Sequence, residues 1–287
     1  MNRTGATAAI SLDAFLVTAR RPLLVGLAAL FGGYSVTAQA QSAAEAETFT
    51  IGAVGDSISA GFNADRLLNN RDLSWTTGDS STRRVNSHYF RLRELHPDLT
   101  IRGINEAIAG SVAADLVGQT QRLMRNQVDY VTIMIGANDV CTWEEADYVE
   151  KMRVFQNHVV FAVQSILTAN ANTRIVLVQI PDVYRIWELG STRSCQTKWN
   201  LFGMCKPLLG ESRSAADREA FRARWRAANN TLANIAAMFP DRVLFDDSLG
   251  ATPFEWEHVS RLDCFHPSIA GQNLISELTW QNGLFYE

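Results

Sequence analysis

Residues 50–61 read TIGAVGDSISAG. The apolar, β-prone half of this stretch runs straight into Gly55-Asp56-Ser57, and Ser59 and Gly61 follow within four residues. A strand that stops on a serine among glycines presents a hydroxyl at the edge of a sheet, with bare backbone beside it. Four further β-rich segments match the first, FTIGAV (49–54): LTIRGI (99–104), YVTIMIG (130–136), RIVLVQI (174–180) and RVLFD (242–246). Between them the spacing turns helical. Tyr148, Met152, Phe155, Val159, Val163 and Ile166 keep steps of three and four over 148–167. Phe221, Trp225, Leu232 and Ile235 do so behind Ser214, a predicted helix cap, with an arginine-rich face expected in solvent. A last helix is expected after Pro267, with Ile269, Leu274, Ile275 and Leu278 inward. Strands apolar nearly throughout, alternating with helices, predict an α/β fold with a parallel sheet covered on both faces. Ligands of such sheets sit beyond the carboxyl ends of the strands.

The chain has 287 residues, 47% of them hydrophobic, and a net charge of -4, the composition of a folded globular protein. Its arginines are scattered among acidic residues, so no basic stripe is present to neutralise a run of phosphates, and nucleic acid is not an expected partner. Residues 1–40 differ: Arg20-Arg21 precede PLLVGLAALFGGYSV (22–36), and TAQA (37–40) supplies small residues at Ala38 and Ala40. This reads as an export signal cleaved after Ala40, because the apolar run is short of the roughly 20 residues a membrane span needs. Residues 41–287 are then a single domain. Losing three arginines and one aspartate leaves 23 basic and 29 acidic side chains, a net charge of -6, on a secreted or periplasmic protein with no membrane span.

Four cysteines, Cys141, Cys195, Cys205 and Cys264, fall in this domain. An even count in an exported chain predicts two disulfides with three connectivities open. Cys195 and Cys205 bracket nine residues and are expected to close one loop, leaving Cys141 for Cys264. No Cys-x-x-Cys spacing points to zinc.

Chemistry-bearing residues follow the strands. Ser57 ends the first, Asn105 and Gly110 follow the second, Gly136-Ala137-Asn138-Asp139 the third, and Asp263-Cys264-Phe265-His266-Pro267-Ser268 comes after the fifth. Ester hydrolysis needs a nucleophile, a base to take its proton, a group to orient the base, and donors for the oxyanion. Ser57, His266 and Asp263 supply the first three parts. The oxyanion donors expected are the backbone N–H groups of Ser57 and Gly110 and the side-chain amide of Asn138. Each motif alone has a plain structural reading: a helix cap for Ser57, a turn for Asn138, a loop glycine for Gly110, a turn into a helix for His266. Their common placement at strand ends is what carries chemistry.

In these four blocks the sequence resembles the GDSL, or SGNH, hydrolase superfamily, whose Ser, Gly, Asn and His fall on Ser57, Gly110, Asn138 and His266. The resemblance runs from AVGDSISAG (53–61) through NEAIAG (105–110) and IGAND (135–139) to DCFHPS (263–268). Glu106 departs from the small or apolar residues common at that point of the family pattern. SWTTGD (74–79), NSHYFRLRELHP (86–97) and GANDVC (136–141) look like the phospholipase B-type branch. The resemblance implies a three-layer sandwich around a five-stranded parallel sheet, the flavodoxin-like SGNH arrangement. It also implies a serine esterase or lipase acting on lipid, lysophospholipid or small acyl esters without a cofactor. A polysaccharide O-acetylesterase and a non-catalytic lipid- or glycan-binding module are the alternatives. The Gly-x-Ser-x-Gly elbow of another lipase fold is absent, because position 59 is serine.

Other candidates are weaker. Asp56, beside Ser57, should point to the opposite face. Asp139 and Asp182 are expected to brace loops. His258 is a rival base with a surface-loop alternative, and His88, His96 and His158 lack partner motifs. Asp263, His266 and Asp246 or Asp247 could in principle ligate a metal, without any supporting spacing. Trp143, Trp187 and Trp199 follow strands three and four, where they either line an acyl or sugar site or pack in the core.

Overall fold

The apolar runs are strands in the computed structural model, which describes residues 47–285 apart from 145 and 191. The expected leader over residues 1–40 lies outside the described residues. Strands β1 (Thr48–Gly55), β2 (Thr100–Asn105), β3 (Tyr130–Met134), β4 (Arg174–Val178) and β5 (Val243–Asp246) form one parallel sheet in the order β2-β1-β3-β4-β5. Helices follow as α1 (His88–Leu95), α2 (Leu116–Leu123), α3 (Ala137–Val140), α4 (Tyr148–Ala169), α5 (Val183–Leu189), α6 (Arg193–Phe202), α7 (Lys206–Leu209), α8 (Ala215–Ala237), α9 (Ser248–Ala251) and α10 (Ile269–Gln281).

Side chains alternate across a strand, so β4 sends Ile175 and Leu177 into one apolar layer and Val176 and Val178 into the other. β3 divides Val131 and Ile133 from Tyr130 and Met134 in the same way. The first layer is filled by α2, α4 and α8, the second by α1 and α10, giving the three-layer sandwich. The chain leaves β1 for β2 on one side and returns to β3 on the other. That reversal opens a crevice at the carboxyl ends of β1 and β3.

Strands β3 and β4 stop two residues before their apolar runs end. Gly136 turns to φ +118°, and the Ile180 N–H donates to Asn229 Oδ1 instead of a neighbouring strand. Helix α8 starts where expected, with a reciprocal capping box between Ser214 and Asp217. Its arginine face is not all in solvent. Arg218 is 9% exposed, donates to the carbonyls of Leu208 and Gly210, and lies 4.6 Å over the Trp187 ring. Trp187 of α5 and the end of α7 cover Arg218, and the carbonyls at that end of α7 take the guanidinium.

The cysteine pairing differs from the expectation: Cys141 bonds Cys205, and Cys195 bonds Cys264. The presumed loop between Cys195 and Cys205 is mostly α6, and seven helical steps carry the chain roughly 10 Å, beyond the span of one disulfide. The actual bridges close loops of 64 and 69 residues, each worth about 4 kcal/mol on the chain-entropy account.

His88 is fully buried between Trp75 and Trp280, with Nδ1 on the Tyr130 hydroxyl and Nε2 on Thr279 Oγ1. Burial pushes it down to about 3, so it stays neutral in the folded chain. An unfolded histidine takes up a proton below about pH 6.5, so the stability His88 contributes is complete above that pH and drains away as pH falls towards 3. Replacing His88→Gln should therefore shrink the wild-type advantage by about 3 kcal/mol between pH 7 and pH 4, measured by urea unfolding. A pH-independent difference between the two proteins would contradict this.

Candidate active site

Ser57 stands two residues past β1, at the reversal point of the sheet. The turn that exposes it needs glycine: Gly55 has φ +144°, and a Cβ there would lie 2.1 Å from the Met134 carbonyl oxygen. Gln119 of α2 fastens the turn, accepting from Gly55 N–H at 2.7 Å and donating to Gly55 O at 2.9 Å. Asp56 folds inward, accepts from Ile58 N–H, and is raised by burial to about 6.

The His266 imidazole meets this hydroxyl from the other end of the chain. Its Nε2 is 2.9 Å from Ser57 Oγ and its Nδ1 is 2.7 Å from Asp263 Oδ2. Asp263 and His266 face the same way because Asp263 Oδ1 accepts the backbone N–H groups of Phe265 and His266, an Asx turn. Cys264 between them is left-handed, at φ +59°, a conformation that costs a non-glycine residue about 1 kcal/mol or more. Asn63 Nδ2 donates 2.6 Å to the same Asp263 Oδ2, and Ser260 Oγ donates to Asn63 O, tying the loops after β1 and β5. Burial alone would raise the Asp263 carboxyl, which is 2% exposed, but the His266 and Asn63 hydrogen bonds and the His266 charge outweigh it and hold the pKa below the usual carboxylate range.

Asn138 lies in α3, directly after β3. Its Nδ2 donates to Ser111 O at 2.9 Å, which leaves the second amide hydrogen unspent. Asp139 takes the Ala113 N–H on both oxygens, so the Asn138 turn is bound to the loop after β2; burial raises Asp139 to about 7. Gly110 sits in that loop at φ +84° with open space where a Cβ would be. It lines a neighbouring hollow with Ser111 and Asp115, whereas Asn138, Ser57 and His266 line the main cleft.

The family model for GDSL-like lipases and acylhydrolases matches residues 51–279. The chain belongs to this family. That family is one of enzymes that hydrolyse carboxylic esters. Mouse membrane-associated phospholipase B1 is 32% identical over 139 residues, 37% of this chain and 9% of that protein. The human protein of the same name is 34% identical over 128 residues, 33% of this chain and 9% of that protein. The match thus spans a small part of those relatives. Among solved structures, Axe2, an acetylxylan esterase from Geobacillus stearothermophilus, aligns with a TM-score of 0.52 at 18% identity, covering 84% of this chain and 97% of that one. That likeness is one of fold.

In this GDSL-family chain the cleft at Ser57 is walled by Pro181, Val183, Ile186, Phe254, Val259 and Phe265. Its polar groups besides Ser57, Asn138 and His266 are Asp182 and His258. Asp182 caps α5 by accepting from Tyr184 N–H. His258 lines the cleft rather than the surface, but its Nδ1 accepts from Glu255 N–H and no bond joins it to Ser57. His88, His96 and His158 stand outside the cleft. Trp143 and Trp199 are buried in the core, and Trp187 packs under Arg218; none lines the cleft. Asp246 bonds Ser248, and no group of three His, Cys, Asp or Glu side chains gathers as metal ligands would among the described residues. Asn63 and Gln119 brace the site without any spacing in the sequence that reveals them.

Proposed function

We propose that this chain is an exported serine esterase that cleaves esters with an apolar acyl group through a Ser57 acyl-enzyme. The observation that carries the reading is the hydrogen-bonded chain from Ser57 Oγ to His266 to Asp263, at 2.9 and 2.7 Å. With the ionised Asp263 accepting from Nδ1–H, Nε2 is left as the acceptor facing Ser57. As Oγ bonds to the acyl carbon, its proton passes to Nε2, and Asp263 stabilises the imidazolium. The donors proposed for the oxyanion are the backbone N–H of Ser57 and the free amide hydrogen of Asn138 in the cleft, with the backbone N–H of Gly110 from the adjoining hollow as the third, each donor typically worth about 3 kcal/mol in the transition state. The alcohol leaves with the Nε2 proton. Water, activated by the same nitrogen, then releases the acid and restores Ser57. No step calls for a cofactor.

Export rests on the leader expected over residues 1–40 and on two disulfides, which persist in oxidising compartments. Among the described residues no helix is long and apolar enough to cross a membrane. Lipid or lysophospholipid esters are the favoured substrates, because the cleft walls are apolar and because two relatives, from mouse and human, are named phospholipase B1. A series of p-nitrophenyl esters tests this. Activity level or rising from acetyl to hexanoyl is expected, whereas a steep preference for acetyl would favour O-deacetylation of a polysaccharide.

A further inference from the structure

The geometry points to a clasp: the Cys195–Cys264 bond and the Trp199 indole of α6 are positioning elements that hold Cys264 left-handed, so that Asp263 and His266 face one another. The inference rests on the catalytic reading of Ser57, His266 and Asp263. Three contacts from one helix converge on one short loop. Cys195 is bonded to Cys264, Trp199 Nε1 donates to Cys264 O at 3.0 Å, and Lys198 Nζ donates to Arg261 O at 2.6 Å. Cys264 is the residue between the orienting carboxylate and the base, with one further residue, Phe265, before His266.

The left-handed conformation at Cys264 folds the loop back far enough for Asp263 to accept from both Phe265 N–H and His266 N–H. A non-glycine residue holds such a conformation only where its surroundings impose it. Here the sulfur is bonded on one side and the carbonyl is held on the other. Trp199 is itself 2% exposed, packed in the core, so the clasp has a rigid base. Freed from it, the backbone at 264 is expected to relax towards ordinary φ, turning Asp263 away from Nδ1. Misplacement by about 1 Å of a group acting in a transition state costs up to about a hundredfold in rate.

A glycine substitution separates positioning from simple stapling. Glycine adopts the left-handed conformation without steric cost, and alanine does not. The doubly substituted Cys195→Ala/Cys264→Ala protein, assayed well below its melting temperature on p-nitrophenyl butyrate, should show kcat lowered about tenfold or more, with KM within about twofold. Its acidic limb in the pH profile of kcat/KM should move to lower pH, because a displaced Asp263 no longer supports the imidazolium. Cys195→Ala/Cys264→Gly should recover most of kcat and return the limb, although it melts no higher. Removing the other bridge as Cys141→Ala/Cys205→Ala, which closes a loop of similar length, should lower the melting temperature comparably and leave the limb in place.

Equal kcat in the alanine and glycine proteins, or the same limb shift after loss of either bridge, would overturn the clasp. If neither Cys264 variant folds, Trp199→Phe keeps both disulfides and an aromatic ring while deleting the N–H donor. It should lower kcat about threefold or more with the same limb shift, and a wild-type profile would overturn the inference. The underlying reading fails separately, by hydrolysis that survives Ser57→Ala.

Discussion

Ser57→Ala is expected to lower kcat/KM for p-nitrophenyl esters by roughly five orders of magnitude while leaving the circular dichroism spectrum and melting temperature unchanged. The substitution removes one oxygen. Ser57 is 7% exposed at the start of a turn held by Gly55, Gln119 and Met134, none of which bonds the hydroxyl. The backbone N–H of residue 57 stays in place, so any rate that survives measures what the remaining donors and binding achieve without a nucleophile. Activity within tenfold of wild type would mean that hydrolysis does not pass through this side chain.

Asp263→Asn is expected to cost about four orders of magnitude in kcat, by a different route. The amide oxygen can go on accepting the Phe265 and His266 N–H groups where Oδ1 does now. The amide nitrogen then replaces Oδ2, which faces two donors, His266 Nδ1–H and Asn63 Nδ2. Donor against donor is relieved if His266 carries its proton on Nε2 instead. That tautomer points a hydrogen at Ser57 and leaves no lone pair to receive one. The same pair of proteins should differ in acid stability. The pKa of Asp263 is held below its unfolded value, so the stability it contributes is present above about pH 4 and is lost as pH falls through the lower folded value. The wild-type advantage in urea unfolding should accordingly narrow in acid. Equal rates in the two proteins across the pH profile would remove Asp263 from the mechanism.

The strands were legible because both faces of β3 and β4 are buried, which writes an unbroken apolar run such as Ile175 to Val178 into the chain. Helices α4, α8 and α10 were legible through long periodic faces and their flanking signals. Helices α5 to α7 were not: they are four to ten residues long, and the span between Cys195 and Cys205 reads as a loop until α6 is seen to separate them. Proximity along the chain misled there, since each cysteine pairs with one more than sixty residues away. Buried Arg218 was missed because a guanidinium that satisfies carbonyls at the end of a neighbouring helix looks, in sequence, like any solvated arginine.

The site divides in the same manner. Ser57, Asn138, Asp263 and His266 sit in motifs whose residue types chemistry restricts; the sheet order makes neighbours of β1 and β3, and the loop after β5 carries Asp263 and His266 back to them. Asn63 and Gln119 carry no such mark. Asn63 finds Asp263 across 200 residues and Gln119 finds Gly55 across 64, through side-chain amide contacts that leave no periodicity behind. Ser111 shows the same limit: its carbonyl, the partner of Asn138, belongs to the backbone and has no sequence signature.

The most direct test of the catalytic assignment is reaction of the intact protein with a fluorophosphonate, followed by mass-spectrometric mapping of the adduct. One phosphonyl group on Ser57, formed as hydrolysis is lost and absent from the His266→Ala protein on the same timescale, is the expected result. An inactivated enzyme with its adduct on any other residue, or full inactivation with Ser57 unlabelled, would contradict the account.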